Sequence, residues 1–402
     1  MIGANQIVLG LGGTVDYELE WDSFSLEARA RKLGVSGDDL EDIKEVTSER
    51  DLVISLLYFL DKGLSEERNV VDPEIISSFA SGFRYQVTLG GTPVRAALAM
   101  AVRSVPATVH LVSTNRETRE LLPAGTEIIS SATKDSLFPH LIFQYPSGAC
   151  IRLKDRIIRS PRANRLIYTH DPPNEELLLS KDLKQKASDS KIFLLSGLNI
   201  FKDEERLRER VKQLTVVLQE SKEERTVIYE DAGFHIPKYS QIVKEALSPL
   251  VGVFSMNEVE AQQCVMVDVD LSSGPEVAHM LIKLRELIPA EHLMVHTHLW
   301  AALVGPRASL FQRPLDAAVQ MASSRYLFGD ALRLDQYDLV ASFPKNRFAE
   351  KVNQVLTDEL GDSFVFSSGF KLETDRPTTI GLGDSFIGGF IAELASSPPA
   401  TL

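Results

Sequence analysis

The sequence predicts an α/β protein, with a helix-covered parallel sheet in its second half and an antiparallel sheet in part of its first. Two observations carry this. From residue 191 onward, short apolar runs at 192–195, 226–229, 251–254 and 292–295 alternate with helical patterns, as βαβ units do. Between 107 and 170, short alternating runs follow one another across turn residues with no amphipathic helix between them, which reads as antiparallel sheet.

The first element is the apolar run 6–11, which meets Gly10, Gly12 and Gly13 and so predicts a buried strand ending in a turn. Residues 51–61 read as a helix before Lys62-Gly63, and 83–89 as a strand before Gly90-Gly91. Thr92-Pro93 then predicts a helix start, with Thr92 at the cap and Pro93 at the first helical position of 94–103. Strands follow at 108–112, 141–145, 150–153 and 165–168, and a polar Lys- and Glu-rich stretch from 171 to 191 separates the halves. In the helical pattern 203–221, Leu207, Val211, Leu214 and Leu218 share one face. Helices are also expected at 239–247 and 276–287, and no internal repeat is visible.

A chain of 402 residues with 44% hydrophobic and 25% charged residues holds two to three domains' worth of mass and is neither disordered nor collagenous. Its 43 Lys+Arg against 56 Asp+Glu give −13, which argues against a nucleic-acid partner. Cys150 and Cys264 are the only cysteines, excluding a disulfide framework and a Cys-rich zinc site and fitting a reducing compartment. The opening MIGANQIVLGLGG has no basic n-region, and no apolar run reaches the roughly 20 residues a bilayer needs. A cytoplasmic protein with no membrane partner is expected, as a monomer or small homo-oligomer.

Polar groups follow the expected strands of the second half. Ser196-Gly197 and Asn199 follow the first, Glu230-Asp231 the second, Asn257 and Glu260 the third, and His296-Thr297-His298 the fourth. In open α/β sheets ligands bind at such strand ends. Alone, each reads more readily as a helix cap or turn; the four together point to a site. The run Gly381-Leu382-Gly383-Asp384 precedes an apparently helical segment, so its amides can face an anion at a helix N-terminus, with Asp384 placed as a general base beside them. Asn257 and Glu260, three apart, could join Glu230 in holding Mg²⁺, or could simply cap a helix. No P-loop, G-x-G-x-x-G or G-x-S-x-G motif occurs.

The combination of Gly381–Asp384, Asn257-x-x-Glu260, Glu230-x-Ala232 and His296-Thr297 resembles the ADP-dependent sugar kinases, the glucokinases and phosphofructokinases of the ribokinase-like superfamily. The resemblance extends to 63–67, Gly90-Gly91, 140–143 and 161–165. It implies a ribokinase-like α/β/α large domain with a smaller, mostly β lid. The lid would take most of 15–70 and the strands of 136–170; residues 1–14, most of 71–135 and 171–402 would form the large domain. It further implies ADP as phosphoryl donor, AMP as product and Mg²⁺ as cofactor. Asp384 would be the base, with Gly381 and Gly383 in the anion hole. Asn257, His296, Thr297, Leu382 and Gly383 would lie near the nucleotide, and Glu230 and Glu260 on the metal. Asp16, Glu67, Gly91, Thr92 and His140 would surround the sugar.

This chain has Thr92 where the family commonly has Asn, Thr14-Val15-Asp16 where Asn-x-Asp is frequent, and Glu230-Asp231-Ala232-Gly233 in place of Glu-Leu-Ala-Ser. Glu67 matches the glutamate that contacts glucose in glucokinase members and favours a neutral sugar. Arg152, Lys154, Arg156, Arg159, Arg162 and Arg165 could instead bind the phosphate of fructose 6-phosphate, or form a solvated strand face. Glucose is the favoured acceptor. The alternatives are fructose 6-phosphate, a bifunctional enzyme, an ATP-dependent relative, or a member that binds without catalysis.

Overall fold

The computed structural model describes residues 3–219, 225–234, 236–374 and 377–396. The chain builds two principal sheets. The larger has nine strands, in spatial order Phe364–Ser368, Trp300–Val304, His292–His296, Val253–Asn257, Thr226–Glu230, Ile192–Leu195, Ile7–Gly10, Thr108–Leu111 and Glu127–Ser130. All neighbours from His292–His296 to Glu127–Ser130 are parallel, whereas Trp300–Val304 and Phe364–Ser368 add on antiparallel. Its strands read as continuous apolar runs because both faces are covered. Val8, Phe193, Val227 and Tyr229 enter one core, and Ile7, Leu9, Leu194 and Ile228 the other.

On the second face, the helix Leu382–Ser396 is buried along nearly its whole length, as its all-round apolar sequence requires. It packs between Thr92–Val102 and Gln312–Phe328. Gly388 permits the approach, since a Cβ there would lie 2.7 Å from the Ala96 carbonyl oxygen. This fixed helix carries Asp384 in its first turn.

The smaller sheet has six strands, in order Glu45–Val46, Glu66–Val70, Asn164–Thr169, His140–Tyr145, Thr14–Leu19 and Tyr85–Gly90. One face is closed by the helices Ser23–Lys32, Glu49–Lys62 and Pro73–Ala80. Leu52, Leu56, Leu60, Ile76 and Phe79 meet Leu141, Phe143, Leu166 and Tyr168 there. Asp22, Ser48 and Asp72 accept amide hydrogen bonds at the three helix starts. With a period of two, the intervening residues Glu67, His140, Ile142, Arg165 and Ile167 face the other way.

Two expectations require correction. The strand 108–112 belongs to the large parallel sheet and not to an antiparallel one, and the helix Arg116–Leu121 follows it. A four-residue buried parallel strand simply lacks a periodicity that distinguishes the two. The cap of Thr92–Val102 is Gly91, at φ 85°, with no side-chain cap bond; Thr92 is already helical. The polar stretch 171–191 holds two short helices, Pro172–Glu176 and Leu183–Asp189. The end of the expected helix 203–221 lies outside the described residues.

Candidate active site

A cleft of about 310 Å³ opens between the two sheets. From the small sheet it is lined by Asp16, Glu67, His140 and Arg165; from the large-sheet side by Gly91, Thr92, Arg95, Gly381 and Asp384. All five sugar-side residues expected from the sequence therefore share one cleft with the expected base. Strand register explains part of this: Asp16 pairs with His140, and Glu67 with Ile167.

Gly381 has φ +69°, and a Cβ there would stand 2.6 Å from Arg95 Cδ, so only glycine fits. The Ser385 amide is the first to bond back, to the Gly381 carbonyl at 3.0 Å. The preceding amides of Leu382, Gly383 and Asp384 thus belong to the unpaired first turn, at the positive end of the helix dipole. A negative group received there meets several donors at once.

The cleft mixes charges. His140 Nε2 donates to Asp171 Oδ2 at 3.1 Å. Burial opposes the His140 cation, but Asp171, with Asp16 and Glu67 behind it, outweighs burial and raises its pKa to about 9. Asn174 supports Asp171: its Nδ2 donates to Asp171 Oδ2 at 2.7 Å and to the Gly13 carbonyl at 3.1 Å. Arg95, 2% exposed, donates to Asp16 Oδ2 at 3.0 Å. Burial opposes the Arg95 charge too, yet Asp16, Asp384, Asp330 and Glu18 hold its pKa above the ordinary value. Arg165 is pushed the other way, by burial and then by Arg95, with Asp384 opposing.

The remaining expected residues form a second group at the strand ends beside the cleft. A Cβ on Gly383 would lie 3.3 Å from His296 Cε1 and 3.9 Å from Glu230 Oε1, so these three adjoin. His296 Nε2 donates to Glu230 Oε1 at 3.0 Å, and its ring stacks on Phe386. Burial opposes its charge, but Glu230, with Glu260 and Glu258, outweighs burial and raises its pKa. Asn257 and Glu260 form a capping box, with Asn257 N donating to Glu260 Oε2 at 2.8 Å and Glu260 N to Asn257 Oδ1 at 3.0 Å. Burial, then the Asp231 and Glu230 charges, push Glu260 up to about 8. Thr297 Oγ1 closes the turn to Trp300, accepting from its amide at 3.0 Å and donating to its carbonyl at 2.8 Å. His298 turns away to Glu258.

Among the described residues no three His, Cys, Asp or Glu groups converge as a metal cage. Glu230 Oε2, however, is buried with no hydrogen-bond partner. That orphaned oxygen, close to a second carboxylate, fits a cation of the Mg²⁺ type, which takes one or two carboxylates and completes its shell with water and phosphate. Asp231 is not spare: its carboxylate pairs with Lys244 at 3.1 Å.

Of the six clustered cations only Arg165 lines the cleft. Arg152, Lys154, Arg156, Arg159 and Arg162 are exposed. Arg156 pairs with Asp61, and the Arg162 and Arg159 guanidiniums donate to the carbonyls of Gly63 and Gly148. Sequence reasoning missed Arg95, Asp171 and Asn174. For Arg95 the signal was present, a lone cation inside the apolar helical run 94–102.

Comparison with known proteins places this arrangement. The profile of the ADP-specific phosphofructokinase/glucokinase conserved region matches residues 5–323. An ADP-dependent glucokinase of Bos taurus is 26% identical over 227 residues, 54% of this chain, and the match spans only 44% of that relative's length. A phosphofructokinase from Pyrococcus horikoshii OT3 with AMP superposes with TM-score 0.80 at 18% identity, over 98% of this chain and 99% of that one. An ADP-dependent kinase in complex with fructose-6-phosphate and ADPβS does so with TM-score 0.74 at 13% identity, over 99% and 95%. The structural likenesses speak to fold, and the profile match, covering most of the chain, settles kinship: the protein belongs to the ADP-specific phosphofructokinase/glucokinase family.

Proposed function

We propose that this protein transfers the β-phosphoryl group of ADP to a hydroxyl of glucose and releases AMP. The observation that carries the reading is the cleft itself, where Asp384 and the glycine turn of one sheet face Glu67, Asp16 and His140 of the other. The kinship to a bovine ADP-dependent glucokinase supports both donor and acceptor.

The sugar hydroxyl gives its proton to the Asp384 carboxylate as its oxygen attacks phosphorus, and the bond to the departing AMP oxygen breaks. The amides of Leu382, Gly383 and Asp384 hold the charge on the transferring group. Glu67 and Asp16 accept hydrogen bonds from sugar hydroxyls, and cationic His140, fixed by Asp171, donates one. Glu230 and Glu260 would hold Mg²⁺, whose chemistry here is to offset phosphate charge. Asn257, His296 and Thr297 stand near the nucleotide side.

Glu67 favours glucose, because a carboxylate repels a sugar phosphate while five of the six clustered cations lie outside the cleft. Fructose 6-phosphate remains the second reading on one observation, the Arg165 guanidinium lining the cleft. The test is release of AMP or ADP with glucose and with fructose 6-phosphate, each with ADP and with ATP. AMP release with ADP and glucose is expected. Turnover with ATP alone would remove the donor, and a preference for fructose 6-phosphate would transfer the specificity role from Glu67 to Arg165.

A further inference from the structure

Arg95 is a cleft guanidinium that the chemistry above does not use. It sits on Thr92–Val102, an otherwise largely apolar helix of the large-sheet side. Its Nη2 donates to Asp16 Oδ2 at 3.0 Å and lies 3.5 Å from Glu18 Oε1, both on the small sheet. Its Nη1 is 3.9 Å from Asp330 Oδ1 and is buried without a hydrogen bond. The same side chain fills the space beside Gly381, where a Cβ would meet Cδ, Nη1 and Nε within 3.2 Å. Asp330 in turn accepts from Arg325 Nη1 at 2.6 Å, and Arg325 Nε donates to the Ile380 carbonyl at 2.8 Å.

Charged contacts thus run from a sugar-facing carboxylate of one sheet to the residues that open the Asp384 helix on the other. A buried ion pair of this kind adds little stability over an apolar side chain of equal volume, so its consequence is geometric. A planar guanidinium fork can serve two partners at fixed angles, which neither methionine nor lysine can.

We propose that Arg95 is a positioning residue for the transfer, fixing sugar-binding Asp16 relative to Gly381, where the phosphoryl group is received. The proposal rests on the kinase reading above. Arg95 exchanges no atom: the hydroxyl proton passes to Asp384, the new O–P bond forms, and the old P–O electron pair stays with AMP. What Arg95 sets is the separation of hydroxyl oxygen and phosphorus, and misplacement by about 1 Å costs roughly 100-fold in rate.

The experiment compares Arg95→Met, Arg95→Lys, Asp16→Asn and the Arg95→Met/Asp16→Asn double variant. It reads kcat and KM with ADP and glucose, ADP affinity by calorimetry without sugar, and thermal melting. Arg95→Met should lose about 100-fold in kcat while ADP affinity changes less than about threefold. The double variant should be less than about threefold worse than the poorer single one, because Arg95 acts through Asp16. Arg95→Lys, which keeps the charge and loses the fork, should lose about tenfold in kcat and stays informative if the methionine variant does not fold. Parent-like kcat in Arg95→Met or in Arg95→Lys, ADP affinity falling in step with kcat, or losses that multiply in the double variant would each overturn the proposal. No turnover by the parent chain with any donor and sugar would instead remove the kinase reading, before any variant is compared.

Discussion

The two sheets present polar groups to the cleft in opposite ways. The large sheet is apolar on both faces and brings its candidate site residues to strand and helix ends, where Gly381, Asp384, Glu230, Asn257 and His296 gather. The small sheet presents Glu67, His140 and Arg165 within its strands, on its one uncovered face. Rim residues hold local structure at the candidate site: Asn257 caps a helix and Thr297 closes a turn. Glu67, His140 and Arg165 are set by strand register, with His140 also held by Asp171, so they can change with less harm to the fold. Substitutions at the rim should damage turnover and stability together, while substitutions on the face should act on the sugar.

The largest effect short of removing the base itself is expected at the rim. Gly381→Val should destabilise by ~1–3 kcal/mol, because valine resists positive φ and its Cβ would collide with Arg95. It should also cut kcat by about 10²–10³, as the anion hole is displaced; chemical denaturation and steady-state kinetics read the two losses.

On the face, Glu67→Ala should raise KM for glucose by roughly 10–100-fold while the melting temperature moves little, since each lost hydrogen bond to a charged group is worth about 1.5–3 kcal/mol. A parent-like KM would separate Glu67 from the acceptor.

The next effect is on pH dependence. His140 stays protonated up to about 9 in the folded protein. Binding that needs its cation is complete below that value and lost as pH rises through it. Asp171→Asn removes the largest force raising the pKa, so the alkaline limb of kcat/KM should move down by about 1–2 pH units, toward the ordinary histidine value. The same sign holds for stability: the His140–Asp171 contribution is fully present below about 6.5, the unfolded value, and is lost as pH climbs through about 9.

The smallest effect is expected away from both regions. Replacing Arg152 and Lys154 with serine should leave kcat and KM within about twofold, as exposed charges at a strand end and in the bend after it contribute little.

How much of this was legible in the sequence follows from the same contrast. Strands such as Ile192–Leu195 and Thr226–Glu230 announced themselves as apolar runs between helical patterns, and the polar groups at their ends fell where an α/β rim must lie. Gly381–Asp384 was readable because a helix start and its glycine are local features. Thr108–Leu111 was misassigned because four buried residues carry no period, and the antiparallel Trp300–Val304 and Phe364–Ser368 escaped the pattern of βαβ units. Arg95 stood out only as a lone cation in an apolar helical run, and its pairing was unreadable: its partner Asp16 is 79 residues away, and only the meeting of two sheets joins them. Local chemistry reads from sequence, and contacts between sheets do not.

The central claim is that one carboxylate at the rim does the proton chemistry while the face holds the sugar. Asp384→Asn tests it most directly, with AMP release measured beside calorimetric binding of ADP and of glucose. The account predicts a fall in turnover of about 10²–10⁴ with both affinities within about threefold of the parent. Retained turnover, or loss of glucose and ADP binding together with turnover, would contradict it.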